Sequence, residues 1–327
     1  MKKIDLSWGN SIAVRKAFLD NISNNYIVLG KKELANLDYP SHDGNEYLIS
    51  LTERVIERQI GNKYKHIILT NGAAGGITIA LRAYNKMGFN QVYTLAAPYF
   101  PIYPSMIDAA GSSHVMGPKI DQNTVALFDS PSNPRGTVLL NTKELGIPVI
   151  WDAVYHNRVY THGMLKPIDH DILVGSYSKL TGLNGIRIGF IATDNTELFK
   201  IIKELVTAEY CGLGNISSDI LIGLLDEMEI NNSWSDFEIE AKYALDGNRD
   251  EWSKLTRYFG GQDVNPLGMF YYAEMDNACK KLMEKSNIIW TKGSILGTDD
   301  SFGRFNLGQD TVLIKKAVKE ILKNDKA

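Results

Sequence analysis

Short apolar runs alternate with helical patterns through the first two thirds of the chain. Ile67-Ile68-Leu69 reads as a buried strand, closed by Asn71-Gly72, and an Ala-rich helix is predicted from about residue 74 to 87. Val92-Tyr93-Thr94-Leu95, Val125-Ala126-Leu127-Phe128, Pro148-Val149-Ile150-Trp151, Ile172-Leu173-Val174-Gly175 and Ile188-Gly189-Phe190-Ile191 continue the strand pattern. This alternation predicts an α/β fold, a mostly parallel sheet with helices on both faces. After about residue 235 the pattern changes. A helical stretch over 234–258 leads to Gly260-Gly261, strands around Phe270-Tyr271-Tyr272 and Arg304-Phe305, and a closing helix over 311–322. The reading is a large domain over 30–235 and a smaller α+β domain made from 236–327 together with 1–29.

Composition narrows the class. Apolar residues at 44% and charged residues at 22% are those of a globular protein with a core. Lys and Arg number 35 against 38 Asp and Glu, a net charge of −3, so no basic excess points to nucleic acid or an anionic membrane. Two cysteines, Cys211 and Cys279, make neither a disulfide framework nor a cysteine metal cluster. Neither a signal-peptide pattern nor a membrane-length apolar run stands out, and a cytoplasmic location is expected.

Polar residues sit just past the strand ends: Thr70-Asn71-Gly72, Ser130 to Asn133, Asp152, and Ser176 to Lys179. Ligands of open α/β sheets bind outside the carboxyl ends of strands, so these groups are expected in one crevice. Within Ser176-Tyr177-Ser178-Lys179, a lysine stands among hydroxyls, with Arg187 eight residues on. Burial and a neighbouring positive charge lower a lysine's pKa and make it a nucleophile. Hydroxyls and a forked guanidinium suit a phosphate. The small residues of Asn71-Gly72-Ala73-Ala74-Gly75-Gly76, at a helix start, also suit an anion. They do not form G-x-G-x-x-G, and no acid follows about twenty residues on, which weakens a dinucleotide reading. An S-x-x-K acyl-serine reading lacks its K-T-G and S-D-N partners.

The stretch Ser176-x-Ser178-Lys179-x-x-Gly182-x-x-Gly185-x-Arg187-x-Gly189 resembles the signature of the class I/II aminotransferases, fold type I enzymes dependent on pyridoxal 5'-phosphate (PLP). The resemblance implies that Lys179 holds PLP as a Schiff base and that Ser176 and Arg187 bind its phosphate, assisted by Ser178. Asp152 and Tyr155 resemble the family's D-x-x-Y pair, which serves the ring nitrogen and the ring oxygen O3′. Asn133-Pro134-Arg135-Gly136 resembles the N-P-x-G turn, giving Asn133 a donor role at O3′ and a contact to the substrate carboxylate. Gly72, Ala73 and Ala74 are implied for the phosphate, Phe100 for stacking on the ring ahead of Tyr99, and Arg304 for the substrate carboxylate. Gly9-Asn10 resembles a substrate-side G-N-P stretch in which Ser11 replaces the proline. Tyr39 resembles the tyrosine that reaches a neighbouring subunit's phosphate, which implies a homodimer with shared sites.

What this implies is transfer of an amino group between an amino acid and a 2-oxo acid. A lyase, decarboxylase or cyclase with the same cofactor site is the alternative. A non-catalytic relative is expected to lack Lys179 or Asp152, and both are present.

Overall fold

A computed structural model describes residues 3–23, 39–116, 120–139, 141–161, 163 and 165–326. In chain order its elements begin with β1 (Ile4–Asp5), α1 (Ile12–Asp20), α2 (Glu46–Ile60), β2 (His66–Thr70), α3 (Gly72–Lys86), β3 (Gln91–Tyr93), α4 (Tyr103–Ala109), β4 (Ser113–Val115), β5 (Thr124–Asp129) and β6 (Val149–Asp152). They continue with β7 (Ile172–Ser176), α5 (Tyr177–Leu180), β8 (Gly189–Thr193), α6 (Thr196–Tyr210), α7 (Asn215–Ile230) and α8 (Trp234–Ser253). The last are β9 (Phe270–Glu274), α9 (Asn277–Lys285), β10 (Ile288–Ile289), β11 (Thr291–Lys292), β12 (Phe302–Asn306) and α10 (Thr311–Asp325).

Seven strands form the main sheet in the order β2-β8-β7-β6-β5-β3-β4. Successive side chains of a strand face opposite ways, and here both faces are dry. Leu69, Ala126, Phe128, Trp151 and Leu173 enter one apolar cluster, which α1, α2 and the first half of α8 cover. Ile68, Val125, Leu127, Ile150 and Val174 enter another, under α3, α4 and α6. Burial on both faces is why these strands read as continuous apolar runs rather than alternating ones. Some of the helices carry ordinary caps. In α2 the Asn45 side chain accepts the N–H groups of Tyr47 and Leu48, and Gly61 ends the helix at φ 81°.

Three details differ from the sequence expectation. β8 runs antiparallel to both β2 and β7, because the chain returns through α5 and a tight loop rather than a crossover helix. Thr94 and Leu95 lie beyond β3, and the edge strand β4 was not anticipated, being short and half polar. The helix expected over 234–258 stops at Ser253, and a 3-10 turn covers Thr256–Phe259.

The chain ends meet. β1 pairs in parallel with β10, and β11-β12-β9 form an antiparallel sheet. A third apolar cluster joins Ile4 and Leu6 to Trp252, Phe259, Phe305 and Ile314. Trp252 and Phe305 meet with ring centroids 5.0 Å apart. The boundary expected between residues 29 and 30 lies outside the described residues.

Candidate active site

β5, β6 and β7 are parallel neighbours, so their carboxyl ends open on the same edge of the sheet. That edge carries Asp129, Asp152 and Ser176, with α5 and Lys179 directly after. Together they line a cavity of about 420 Å³, whose walls also include Gly9, Ala73, Ala74, Phe100, Asn133, Tyr155, Ser178 and Arg187.

Enclosure pushes the cavity's ionisable groups toward neutrality. The Lys179 amine is lowered to about 8, first by burial and then by the positive charges of Arg304 and Arg187. It donates a hydrogen bond to the Gly9 carbonyl. Asp152 is raised to about 6 by burial, opposed by hydrogen bonds that favour the carboxylate. Those bonds come from the Tyr103 hydroxyl at 2.8 Å and the Val154 N–H at 3.1 Å. Asp129 is raised further, to about 7, by burial and by the neighbouring Asp152 charge. The Asn133 N–H donates to its Oδ2 at 2.6 Å.

Beside the lysine, four features converge on an anion-binding corner. Helix α3 begins at Gly72 with no side chain capping its first N–H groups, so they and the helix dipole are open to an anion. Gly72 sits at φ 66°, and a Cβ there would lie 2.5 Å from Arg187 Nη2, which is the close approach only glycine permits. Arg187 itself is held at φ 57°, a costly backbone for a residue with a side chain. Its guanidinium donates to the Asn184 carbonyl at 3.1 Å and to Ser178 Oγ at 3.4 Å. Ser176 caps α5 by accepting the Ser178 N–H at 3.1 Å.

The opposite wall is built from the two chain ends. Arg304, on β12, is buried and donates to Asn133 Oδ1 at 2.9 Å, to the Ser7 carbonyl at 3.0 Å and to Thr291 Oγ1 at 3.1 Å. Its Nε is buried without a partner, and the guanidinium lies 4.3 Å from the Phe270 ring centroid. Burial lowers this arginine to about 10. Two residues on, Asn306 donates to the carbonyls of Trp8 and Asn10. Thr291 Oγ1 donates to Ser7 O at 2.9 Å. The stretch 7–10 is therefore clamped through its backbone.

Of the residues singled out in the sequence, nearly all meet here. Phe100 lines the cavity, whereas Tyr99 turns toward His114. Gly72 and Arg304 stand just behind the lining, each in contact with a residue that forms it. Tyr39 does not join them: it is 92% exposed and outside the cavity. Sequence reasoning missed Asp129 as a site residue and Tyr103 as the partner of Asp152. Asp129 ends an apolar strand just as Asp152 does, so the same strand-end rule points to it. The partners of the Asn306 clamp, at the other end of the chain, carry no local signal. A larger cavity, about 560 Å³, lies beyond Phe270 beside Arg135 and Tyr272. It holds neither the lysine nor the buried carboxyls, so chemistry rather than volume selects the smaller one.

These donors match the expected cofactor. The open helix start, the glycine cradle, Arg187 and the two serines suit a phosphate. Lys179 suits an imine link, Asp152 a protonated ring nitrogen, and Phe100 the ring face. Arg304, bonded to the cavity residue Asn133, is of the type that suits a substrate carboxylate.

A family model described as aminotransferase class I and II matches residues 7–321. The chain is 26% identical over 255 residues to a (5-formylfuran-3-yl)methyl phosphate transaminase of Methanocaldococcus jannaschii, covering 68% of this chain and 65% of that protein, just under two thirds of its length. It is 22% identical over 299 residues to an aspartate aminotransferase of Pyrococcus horikoshii, covering 77% and 74%. A Methanococcus jannaschii structure, described as similar in its active site to kynurenine aminotransferases, superposes with a TM-score of 0.79 at 20% identity, covering 98% of this chain and 91% of the other. A Thermus thermophilus aspartate aminotransferase mutant superposes with the same TM-score at 17% identity and the same coverage. At such identities the superpositions establish a shared fold.

Proposed function

Because the chain belongs to the class I and II aminotransferase family, we propose that it is a PLP-dependent enzyme that moves an amino group between an amino acid and a 2-oxo acid. The observation that carries this reading is Lys179: an amine lowered to about 8, in one cavity with a buried carboxylate and an arginine–serine anion corner. Bound PLP supplies an electron sink for the pair left when the substrate Cα loses its proton, and it carries the amino group between substrates.

The remaining chemistry is the chain's own. The uncapped N–H groups of Gly72, Ala73 and Ala74, with Ser176, Ser178 and Arg187, would hold the phosphate. Asp152, kept anionic by hydrogen bonds from Tyr103 and Val154, would keep the ring nitrogen protonated. Asn133 and Tyr155 would serve the ring oxygen O3′, and Phe100 would cover the ring. Arg304 and Asn133 orient the substrate carboxylate, with Gly9 closing that side. Lys179, an amine poised near neutral pH in this cavity, would serve as the general acid–base group that moves the Cα proton. An intact Arg304 favours reactions that retain the carboxylate, which supports transfer over decarboxylation.

The small domain, on this reading, comprises 1–29 and 236–327 against 30–235. A cytoplasmic homodimer is also proposed. Among the described residues no helix is long and apolar enough to cross a membrane. The exposed Tyr39 is available to a second copy. The test mixes single amino acids with PLP-loaded protein in the absence of any 2-oxo acid. One equivalent of 2-oxo acid per site, followed by arrest, is expected. Continuing release of ammonia or carbon dioxide supports a lyase or decarboxylase instead.

A further inference from the structure

Of the titratable side chains lining the cavity, Asp129 alone has no role in the reading above. It ends β5 as Asp152 ends β6, and the two are register partners on adjacent parallel strands, which run about 4.8 Å apart. Its carboxyl grips Asn133 by the main-chain N–H, while the Asn133 side chain accepts from Arg304. Asp129 is thus joined to both walls of the cavity. The charged and titratable groups around it are Asp152 on β6, Tyr103 on α4 and Tyr155 after β6. Lys179 and Arg187 supply the cations of the same cavity.

A carboxylate that accepts only backbone N–H groups, with another acid alongside, is poorly compensated in a buried place. It is accordingly raised to about 7. We propose that Asp129 is a positioning residue of the cofactor site: it holds Asn133 by its N–H and, by gaining or losing a proton, sets the negative charge that the strand ends present beside Asp152. The proposal rests on the PLP reading. A ring nitrogen holds its proton more firmly when negative charge stands nearby, so the state of Asp129 is readable in the bound cofactor's absorption.

Wild type, Asp129→Asn and Asp129→Ala are loaded with PLP, and their absorption is titrated across the neutral range. Wild type is expected to show a step there. Asp129→Asn is expected to bind the same equivalents of PLP with that step displaced, since the amide still accepts the Asn133 N–H but has no proton to lose, while Asp152 beside it still titrates. Asp129→Ala also loses the acceptor, and its KM for the amino acid is expected to exceed that of Asp129→Asn by about three- to tenfold, the worth of one hydrogen bond. A titration of Asp129→Asn that superposes on wild type overturns the charge role. Equal KM values in the two variants overturn the positioning role. Failure of wild type to take up PLP overturns the underlying reading instead, and is seen before any variant is compared.

Discussion

The two walls of the cavity are built on opposite plans. The strand-end wall is assembled from near neighbours in sequence: Ser178 bonds Ser176 two residues away, Val154 bonds Asp152 two away, and Arg187 reaches Asn184 three away. The clamp wall is assembled from the chain's extremes. Thr291 and Arg304 bond Ser7 across 284 and 297 positions, and Asn306 bonds Trp8 across 298. They also differ energetically. The strand-end wall holds an amine and two carboxyls pushed toward neutrality, whereas the clamp's backbone carbonyls are matched to donors. The first wall stores reactivity and the second supplies placement.

The contrast sharpens into a series of expected losses. Lys179→Ala removes both the covalent hold and the proton carrier, and steady-state turnover is expected to fall about 10⁴-fold or more. Asp152→Asn keeps the shape but not the charge, and kcat is expected to fall about a hundredfold or more, with PLP still bound. On the clamp wall, Arg304→Lys loses the planar fork. It is expected to raise KM for the amino acid about 10- to 100-fold while leaving the PLP absorbance unchanged. If instead PLP uptake fails in Arg304→Lys, the division of labour between the walls is wrong.

That division also explains what the sequence made legible. The apolar runs of β2, β5, β6 and β7 and the special residue at each strand end are local patterns. Lys179, Asp152, Asn133 and Arg187 could therefore be named as candidates from the sequence and its family resemblance, and they line one cavity. Sequence reasoning passes over Asp129 although the strand-end rule points to it, because the Ser130-Pro131 that follows reads as an ordinary turn. Asn306 stands two residues after Arg304 in one motif, but its clamp was not legible, because Trp8 and Asn10 lie at the other end of the chain and only the fold brings them together. The direction of β8 was missed for a related reason: apolar content shows burial but not polarity.

Smaller effects concern stability without cofactor. Asn306→Ala strands the carbonyls of Trp8 and Asn10 and the N–H of Gly308. Denaturant midpoints are expected to show a loss of about 2 kcal/mol. Asp152 has its folded pKa raised from 3.8 to about 6, so between those values the folded state binds the proton more tightly than the unfolded one. The cofactor-free protein therefore loses stability as pH rises through that window. Asp152→Asn is expected to raise Tm at pH values above 6, with the gain vanishing as pH falls toward 4. A gain that is constant with pH contradicts a buried carboxylate.

The central claim is that Lys179 carries the cofactor, and reductive trapping tests it directly. The protein is incubated with PLP, reduced with borohydride, digested and analysed by peptide mass spectrometry. The account predicts one modified lysine per chain, within the peptide containing Ser176-Tyr177-Ser178-Lys179, and none in Lys179→Ala. A modification spread over other lysines, or retained at full yield in Lys179→Ala, contradicts it.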